Sequence, residues 1–200
     1  MRIVVATGNR GKLEELTSML APLGVEIKSL ADYPGIPEVV EDKETFSENA
    51  IKKAREICEA TGEIALADDS GLEVDFLGGV PGVYSARFAG EDKDDEANNH
   101  KLLGLLQGVP TGKRGAGFRC VVALALPGGP VYTTEGVCRG IIGESIEGEG
   151  GFGYDPLFVV PEQGKTFAQL DIETKNGISH RGKAFALAKE IIAGLVKNRN

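Results

Sequence analysis

A chain of 200 residues, 42% hydrophobic and 26% charged, can bury a sizeable core and is too apolar for extended disorder. A formal charge of -8 and a pI near 4.9 set its surface against nucleic-acid backbones and anionic lipids, so a polyanionic ligand must meet local positive charge or a metal. No apolar run approaches the roughly 18 residues of a membrane span, the MRIVVATGN start is too short for a signal peptide, and Cys58, Cys120 and Cys138 form no CxxC pair; buried thiols in a reducing cytoplasm are expected.

Ile3 to Ala6 is a short apolar run without alternation, which suits a strand buried on both faces. Thr7-Gly8-Asn9 breaks it, and a helix follows from about Arg10 with Leu13, Leu16 and Leu20 on one face and Pro22-Leu23-Gly24 closing it. Such a strand, loop and helix often present backbone N–H groups to an anion. Val25 to Leu30 reads as a strand and the Pro- and Gly-containing stretch 32–43 as a loop. Thr45 and Glu48 have capping-box spacing, starting a helix that buries Ala50, Ile51, Ala54, Ile57 and Cys58 and sets Asn49 and Lys53 on a neighbouring face.

Ile64 to Ala67 reads as a buried strand that ends abruptly at Asp68-Asp69-Ser70-Gly71, with a further extended piece at 72–76. Residues 92–107 are expected to be helical, Leu102, Leu103, Leu105 and Leu106 forming the apolar side. Phe118, Cys120, Val122, Leu124 and Leu126 recur at period two, a strand signal, and 131–138 and 139–146 read as meander partners after a turn at Gly128-Gly129-Pro130. Phe158 to Val160 is short and apolar; a closing helix over about 181–196 has Ser179 as its candidate cap. The order predicts an α/β protein with a mixed sheet, in which two lobes share one sheet and hold the ligand between them.

Two motifs fail. Gly148-x-Gly150-x-x-Gly153 has the letters of a dinucleotide fingerprint but neither the strand before it nor the helix after it. The stretch 108–114 is one residue short of a P-loop, lacks Ser or Thr after the lysine and follows a helix.

Chemistry concentrates elsewhere. Adjacent carboxylates at Asp68 and Asp69, at the rim of a core, are costly unless compensated; a solvated turn is one reading and a hard cation such as magnesium the other, with Glu41 and Glu44 available as further oxygen donors. Lys12, Lys53 and Lys175 stand at three breaks between elements, where they are either solvated or gathered on a polyphosphate. His180-Arg181 at a helix start places positive charge at the disfavoured end, which an anionic or carbonyl-bearing ligand would offset; His100 reads as structural or solvated. In Phe152-Gly153-Tyr154-Asp155 two rings and an acid adjoin bare backbone, so the rings either stack on a nucleobase or fill the core.

Taken together, ATGNRGKLEEL, ETFSENAIKKA, ADDSGLEVDFLGGVPGVYSARFAGED, GGFGYDPLF and KNGISHRGKAF span positions 6–185 in one order. In these blocks the chain resembles the inosine/xanthosine triphosphate (dITP/XTP) pyrophosphatases. The resemblance implies a single domain over 1–200, an elongated two-lobed fold around a long mixed β-sheet flanked by helices, an active site in the cleft between lobes, and a homodimer. It also implies cleavage of ITP, dITP and XTP to a monophosphate and pyrophosphate with Mg2+. By the same likeness Thr7, Gly8, Asn9, Arg10, Gly11 and Lys12 hold the phosphates and Lys53 adds charge. The likeness also makes Asp69 the general base and puts Glu41 and Asp69 nearest the metal; the adjacent Asp68 is then expected to support Asp69 from behind. Ser70 touches substrate, Phe152, Gly153, Tyr154 and Asp155 embrace the base, and Lys175, His180 and Arg181 read its edge.

At an ordinary carboxylate pKa near 4, Asp69 would be a weak base, so its orienting and metal-holding roles carry more weight. Charged donors at 175, 180 and 181 suit the 6-oxygen of hypoxanthine or xanthine; facing the amino group of adenine would cost about 1–3 kcal/mol. The rival readings are a pyrophosphatase for another modified base and a non-catalytic nucleotide sensor; nucleic-acid binding is disfavoured by the acidic surface.

Overall fold

The computed structural model describes residues 1–8 and 10–197, without the side chains of Arg10, Glu14, Glu15 and Ser18. Its strands are β1 (Arg2–Val5), β2 (Glu26–Ser29), β3 (Ile64–Val74), β4 (Gly115–Ala125), β5 (Val131–Ile142), β6 (Phe158–Val160) and β7 (Lys165–Thr166). The helices are α1 (Arg10–Leu20), α2 (Phe46–Thr61), α3 (Asp95–Leu105), α4 (Ile172–Ile178) and α5 (His180–Lys197). The strands form one sheet in the order β2-β1-β3-β4-β5-β6-β7. β1 pairs in parallel with β2 and β3, while β5–β6 and β6–β7 are antiparallel, so the sheet is mixed and flanked by helices. This is the expected α/β class.

Two compact units form within the chain. The first comprises Met1–Asp69, Cys120–Gly136 and Lys183–Asn200. Its core joins Ile3, Val5, Ile64 and Leu66 of the strands to Leu16 and Leu20 of α1 and Phe185, Ala188 and Ile192 of α5. The second comprises Ser70–Arg119 and Val137–Gly182, with a core of Leu72, Val74, Leu102, Leu106, Phe118, Tyr154, Phe158 and Phe167. Thr45 caps α2 as its spacing predicts: its hydroxyl oxygen accepts from the Glu48 N–H at 3.2 Å and the hydroxyl donates to the Glu48 carboxylate at 2.8 Å. Cys58, Cys120 and Cys138 are buried free thiols. Among the described residues no helix is long and apolar enough to cross a membrane.

Several elements differ from the sequence reading. β3 does not stop at Ala67 but runs through Asp68, Asp69 and Ser70 to Val74, because distant partners described below meet the carboxylates. β5 is one strand rather than two, since Cys138-Arg139 lacks turn chemistry and the Arg139 guanidinium pairs with Asp75. α3 begins at Asp95, capped by Asp94, and leaves Leu105 exposed. α4 was not foreseen: at seven residues it is too short for helical periodicity to register, and its start is fixed by Asp171, which accepts from the Thr174 N–H at 2.8 Å. α5 begins on Ser179, whose hydroxyl accepts from the Gly182 N–H at 3.0 Å. A Cβ on Gly182 would collide with the Asn176 carbonyl, so only glycine permits this α4–α5 corner. The glycine cluster at 148–153 forms no dinucleotide loop; a Cβ at Gly148 would fall 2.7 Å from the Ala168 backbone, which explains its glycine by close approach.

Candidate functional site

In the first unit, Asp68 and Asp69 are consecutive in β3 and therefore project to opposite faces. Both are buried, at 1% and 6% exposure. Asp68 shares the parity of Ile64 and Leu66, which pack toward α1, and its carboxylate receives Lys12 Nζ at 2.8 Å. Lys53, on α2, donates to the Asp68 carbonyl at 2.9 Å and forms an ion pair with Glu41. Burial works to lower the Lys53 pKa, but Asp68, Glu41 and Asp69 outweigh it and raise it, so the ammonium stays charged.

Asp69 accepts from Asn49 Nδ2 at 3.0 Å. Asn49 Oδ1 in turn accepts from the Lys43 N–H at 2.9 Å, which fixes the amide's orientation. Burial foremost, and the Glu41 charge after it, push the Asp69 carboxyl up to about 6, against the pull of Lys53, Lys12 and the Asn49 hydrogen bond. Without a bound cation, Asp69 therefore stands above the ordinary carboxylate value expected from sequence.

Three carboxylates (Glu41, Asp68, Asp69) gather with two ammonium groups (Lys12, Lys53), so these five side chains among the described residues carry one more negative than positive charge. Glu41 repels Asp69 strongly enough to raise its pKa, and a cation between oxygen donors would relieve that repulsion. The donor set therefore fits a hard divalent ion that takes few protein ligands and completes its shell with phosphate oxygens and water. Among the described residues no three His, Cys, Asp or Glu side chains make a ready cage. Glu44 is exposed. Thr7 and Gly11 are half-buried and Gly8 is exposed; Asn9 and the Arg10 side chain lie outside the described residues.

The second unit carries an aromatic and cationic cluster. The Phe152 ring lies 4.6 Å from the Arg181 guanidinium carbon and 5.0 Å from Lys175 Nζ. Lys175 is buried and ion-paired with Asp155 at 2.8 Å, and Asp155 also accepts from the Phe152 N–H at 2.9 Å. The His180 ring stacks on Phe118, with centroids 4.7 Å apart and 11° between planes. Arg181 reaches the Ser70 hydroxyl at 3.5 Å. The two rings of the Phe-Gly-Tyr-Asp segment divide: Phe152 is half-buried, whereas Tyr154 belongs to the core and donates its hydroxyl to the Ser85 carbonyl at 2.8 Å.

The sequence and fold have counterparts among known proteins. The model of the Ham1 family matches residues 3–191. The chain belongs to the Ham1 family. It is 61% identical over 192 residues to the dITP/XTP pyrophosphatase of Desulforamulus reducens, covering 96% of each chain. It is 56% identical over 189 residues to the dITP/XTP pyrophosphatase of Geobacter sulfurreducens, covering 94% of this chain and 95% of the other. The solved Ham1 protein of Staphylococcus aureus superposes with a TM-score of 0.88 at 40% identity, covering 97% of this chain and 99% of that one.

Within this Ham1 chain the structure adds residues that sequence reasoning passed over. Spacing puts Asn49 on a helix face beside Lys53 but does not reveal it as the partner of Asp69. The signal was present: a buried polar side chain among Phe46, Ala50 and Ala54 needs a hydrogen-bond partner. Phe118, read only as a strand residue, is the floor beneath His180. Arg114, in the failed P-loop segment, is 3% exposed and donates Nε to the Ile142 carbonyl at 2.7 Å and Nη1 to Leu106 at 2.8 Å, a structural role.

Proposed function

We propose that this Ham1-family chain hydrolyses the triphosphates of deaminated purines, ITP, dITP and XTP, to the monophosphate and pyrophosphate, removing them from the nucleotide pool. The observation that carries the reading is the buried acid–lysine cluster, in which Lys12 meets Asp68, Lys53 meets Glu41 and the Asp68 carbonyl, and Asn49 holds Asp69. The names of the relatives supply the substrate class.

In this reading Glu41 and Asp69 hold a magnesium ion, with Asp68 behind them. When bound, the metal supplies positive charge against the triphosphate oxygens. Lys12 and Lys53, with the backbone and side chains of residues 7–11, hold the phosphate chain. Asp69, steadied by Asn49, orients a water and accepts its proton as the oxygen attacks the α-phosphorus. The new P–O bond forms as the bond to the bridging oxygen breaks, and pyrophosphate departs with that electron pair. Lys12 and Lys53 take up the charge growing on the leaving group.

The aromatic and cationic residues take the nucleoside. Phe152 offers a ring face to the base, Gly153 and Tyr154 shape the segment, and Ser70 touches substrate. Arg181 and His180 donate to the 6-oxygen. Lys175 contributes charge while tied to Asp155. Magnesium, a homodimeric assembly and a cytoplasmic setting belong to the same proposal.

The test is a panel of nucleoside triphosphates incubated with magnesium, with both products read. ITP, dITP and XTP should yield stoichiometric pyrophosphate and monophosphate, with ATP turned over at least about 10-fold more slowly. Orthophosphate as the first product, or ATP hydrolysed as fast as ITP, would overturn the reading.

A further inference from the structure

The segment that includes Phe152 and Asp155 is gripped from α3. Gly153 donates its N–H to Asp95 Oδ2 at 2.7 Å, and its carbonyl accepts from Asn99 Nδ2 at 2.9 Å. Both polar groups of one residue are thus held by side chains spaced i, i+4, one turn apart on the same helical face. We infer that Asp95 and Asn99 are positioning residues for nucleobase recognition, fixing Gly153 so that Phe152 and the Asp155–Lys175 pair present one arrangement to the purine. This deepens the function proposed above and rests on it.

Three observations support more than incidental packing. Asp95 is not the helix cap: Asp94 serves there, its Oδ1 accepting from the Glu96 and Ala97 N–H groups at 2.9 and 3.1 Å. Asn99 is 4% exposed and continues the buried stripe of Leu102 and Leu106, where an apolar side chain would be the cheaper occupant. Its Oδ1 has no hydrogen-bond partner among the described residues, so the amide is held there through the bond to Gly153.

The tethered residue is also the segment's loosest link. Gly153 sits at φ 61°, and glycine has the widest choice of backbone conformations to lose. Its neighbours are already fixed: Tyr154 by the Ser85 carbonyl, Asp155 by Lys175 and the Phe152 N–H. Holding Gly153 removes the remaining freedom before a ligand arrives, which lowers the ordering cost of binding.

The experiment compares KM and kcat for ITP and ATP in the full chain and in Asp95→Ala, Asp95→Asn and Asn99→Leu, with thermal melting of each. Asp95→Ala should raise KM for ITP about 5- to 10-fold with kcat within about twofold, as expected for lost preorganisation. The ITP:ATP ratio of kcat/KM should fall with it. Asp95→Asn keeps an acceptor and should recover most of the ratio. Asn99→Leu should mimic Asp95→Ala; should it fail to fold, the two substitutions at exposed Asp95 still decide. Equal losses on ITP and ATP, an unchanged ratio in Asp95→Ala, or Asp95→Asn as impaired as Asp95→Ala would each overturn the inference alone. A wild-type chain that leaves ITP intact would overturn the proposed function and the inference together.

Discussion

Asp69→Asn is expected to make the metal-free protein more stable while removing most of its hydrolysis. The Asp69 carboxyl rises from 3.8 to about 6 on folding, by burial first and by Glu41 second. The native state therefore binds this proton more tightly than the unfolded chain does. The corresponding stability is fully present below about pH 4 and is lost as pH rises through about 6. A shift of about two units corresponds to roughly 3 kcal/mol, which relaxation of the site trims to about 2–3. Asparagine keeps the volume and an oxygen for Asn49 Nδ2 but has no charge to bury. In chelator at pH 7.5 the variant should exceed wild type by about 2–3 kcal/mol, or roughly 4–12 °C in Tm for a chain of this size. At pH 4 the two should converge. Turnover of ITP with magnesium should fall at least about 100-fold. Calorimetric melts across pH 4–8 read the first effect and pyrophosphate release the second. Parallel stability–pH curves for the two proteins would refute the linkage argument, and near-normal turnover by purified variant would refute the catalytic role.

Other substitutions test neighbouring links. Lys12→Ala should raise KM and lower kcat together, because the phosphate chain gains charge as pyrophosphate leaves; unchanged kcat/KM would count against phosphate contact. The same change takes Lys12 from a buried Asp68 and should cost about 2–4 kcal/mol in urea unfolding, most of it recovered when Asp68→Asn is added. Asn49→Ala should lower kcat about 10-fold or more with a smaller effect on KM, read by steady-state kinetics, since Asp69 loses the donor that aims it. Gly182→Ala should destabilise by about 3 kcal/mol or more, seen as a lowered Tm, because the added carbon meets the Asn176 carbonyl.

Much of the fold was legible because its signals are local. The alternation in β4 and the Thr45 cap of α2 each declare themselves within a few residues. β3 misled for the opposite reason. Carboxylates end a buried strand unless something meets them, and what meets them lies far away in the chain: Lys12 is 56 residues from Asp68 and Asn49 is 20 from Asp69. The acids and lysines of the first unit were individually visible, but their pairing, and so the raised pKa of Asp69, required the fold. In the second unit Phe152 and Tyr154 read alike as letters; only packing separates the half-buried ring from the core one. The two tethers on Gly153 were hidden by a plainer account of α3, whose acidic start suits the helix dipole and so prompts no further question.

The alternation of β3 leaves this stretch of chain intolerant of length change. Inserting or deleting one residue between Ile64 and Ala67 would rotate everything downstream by half a turn, presenting Asp69 to the lysine of α1 and withdrawing it from the amide of α2. Point substitutions at the apolar positions cost packing by degrees, whereas an indel there exchanges the partners of two acids at once. Natural variation in this strand should therefore consist of replacements alone, with gaps confined to the loops on either side.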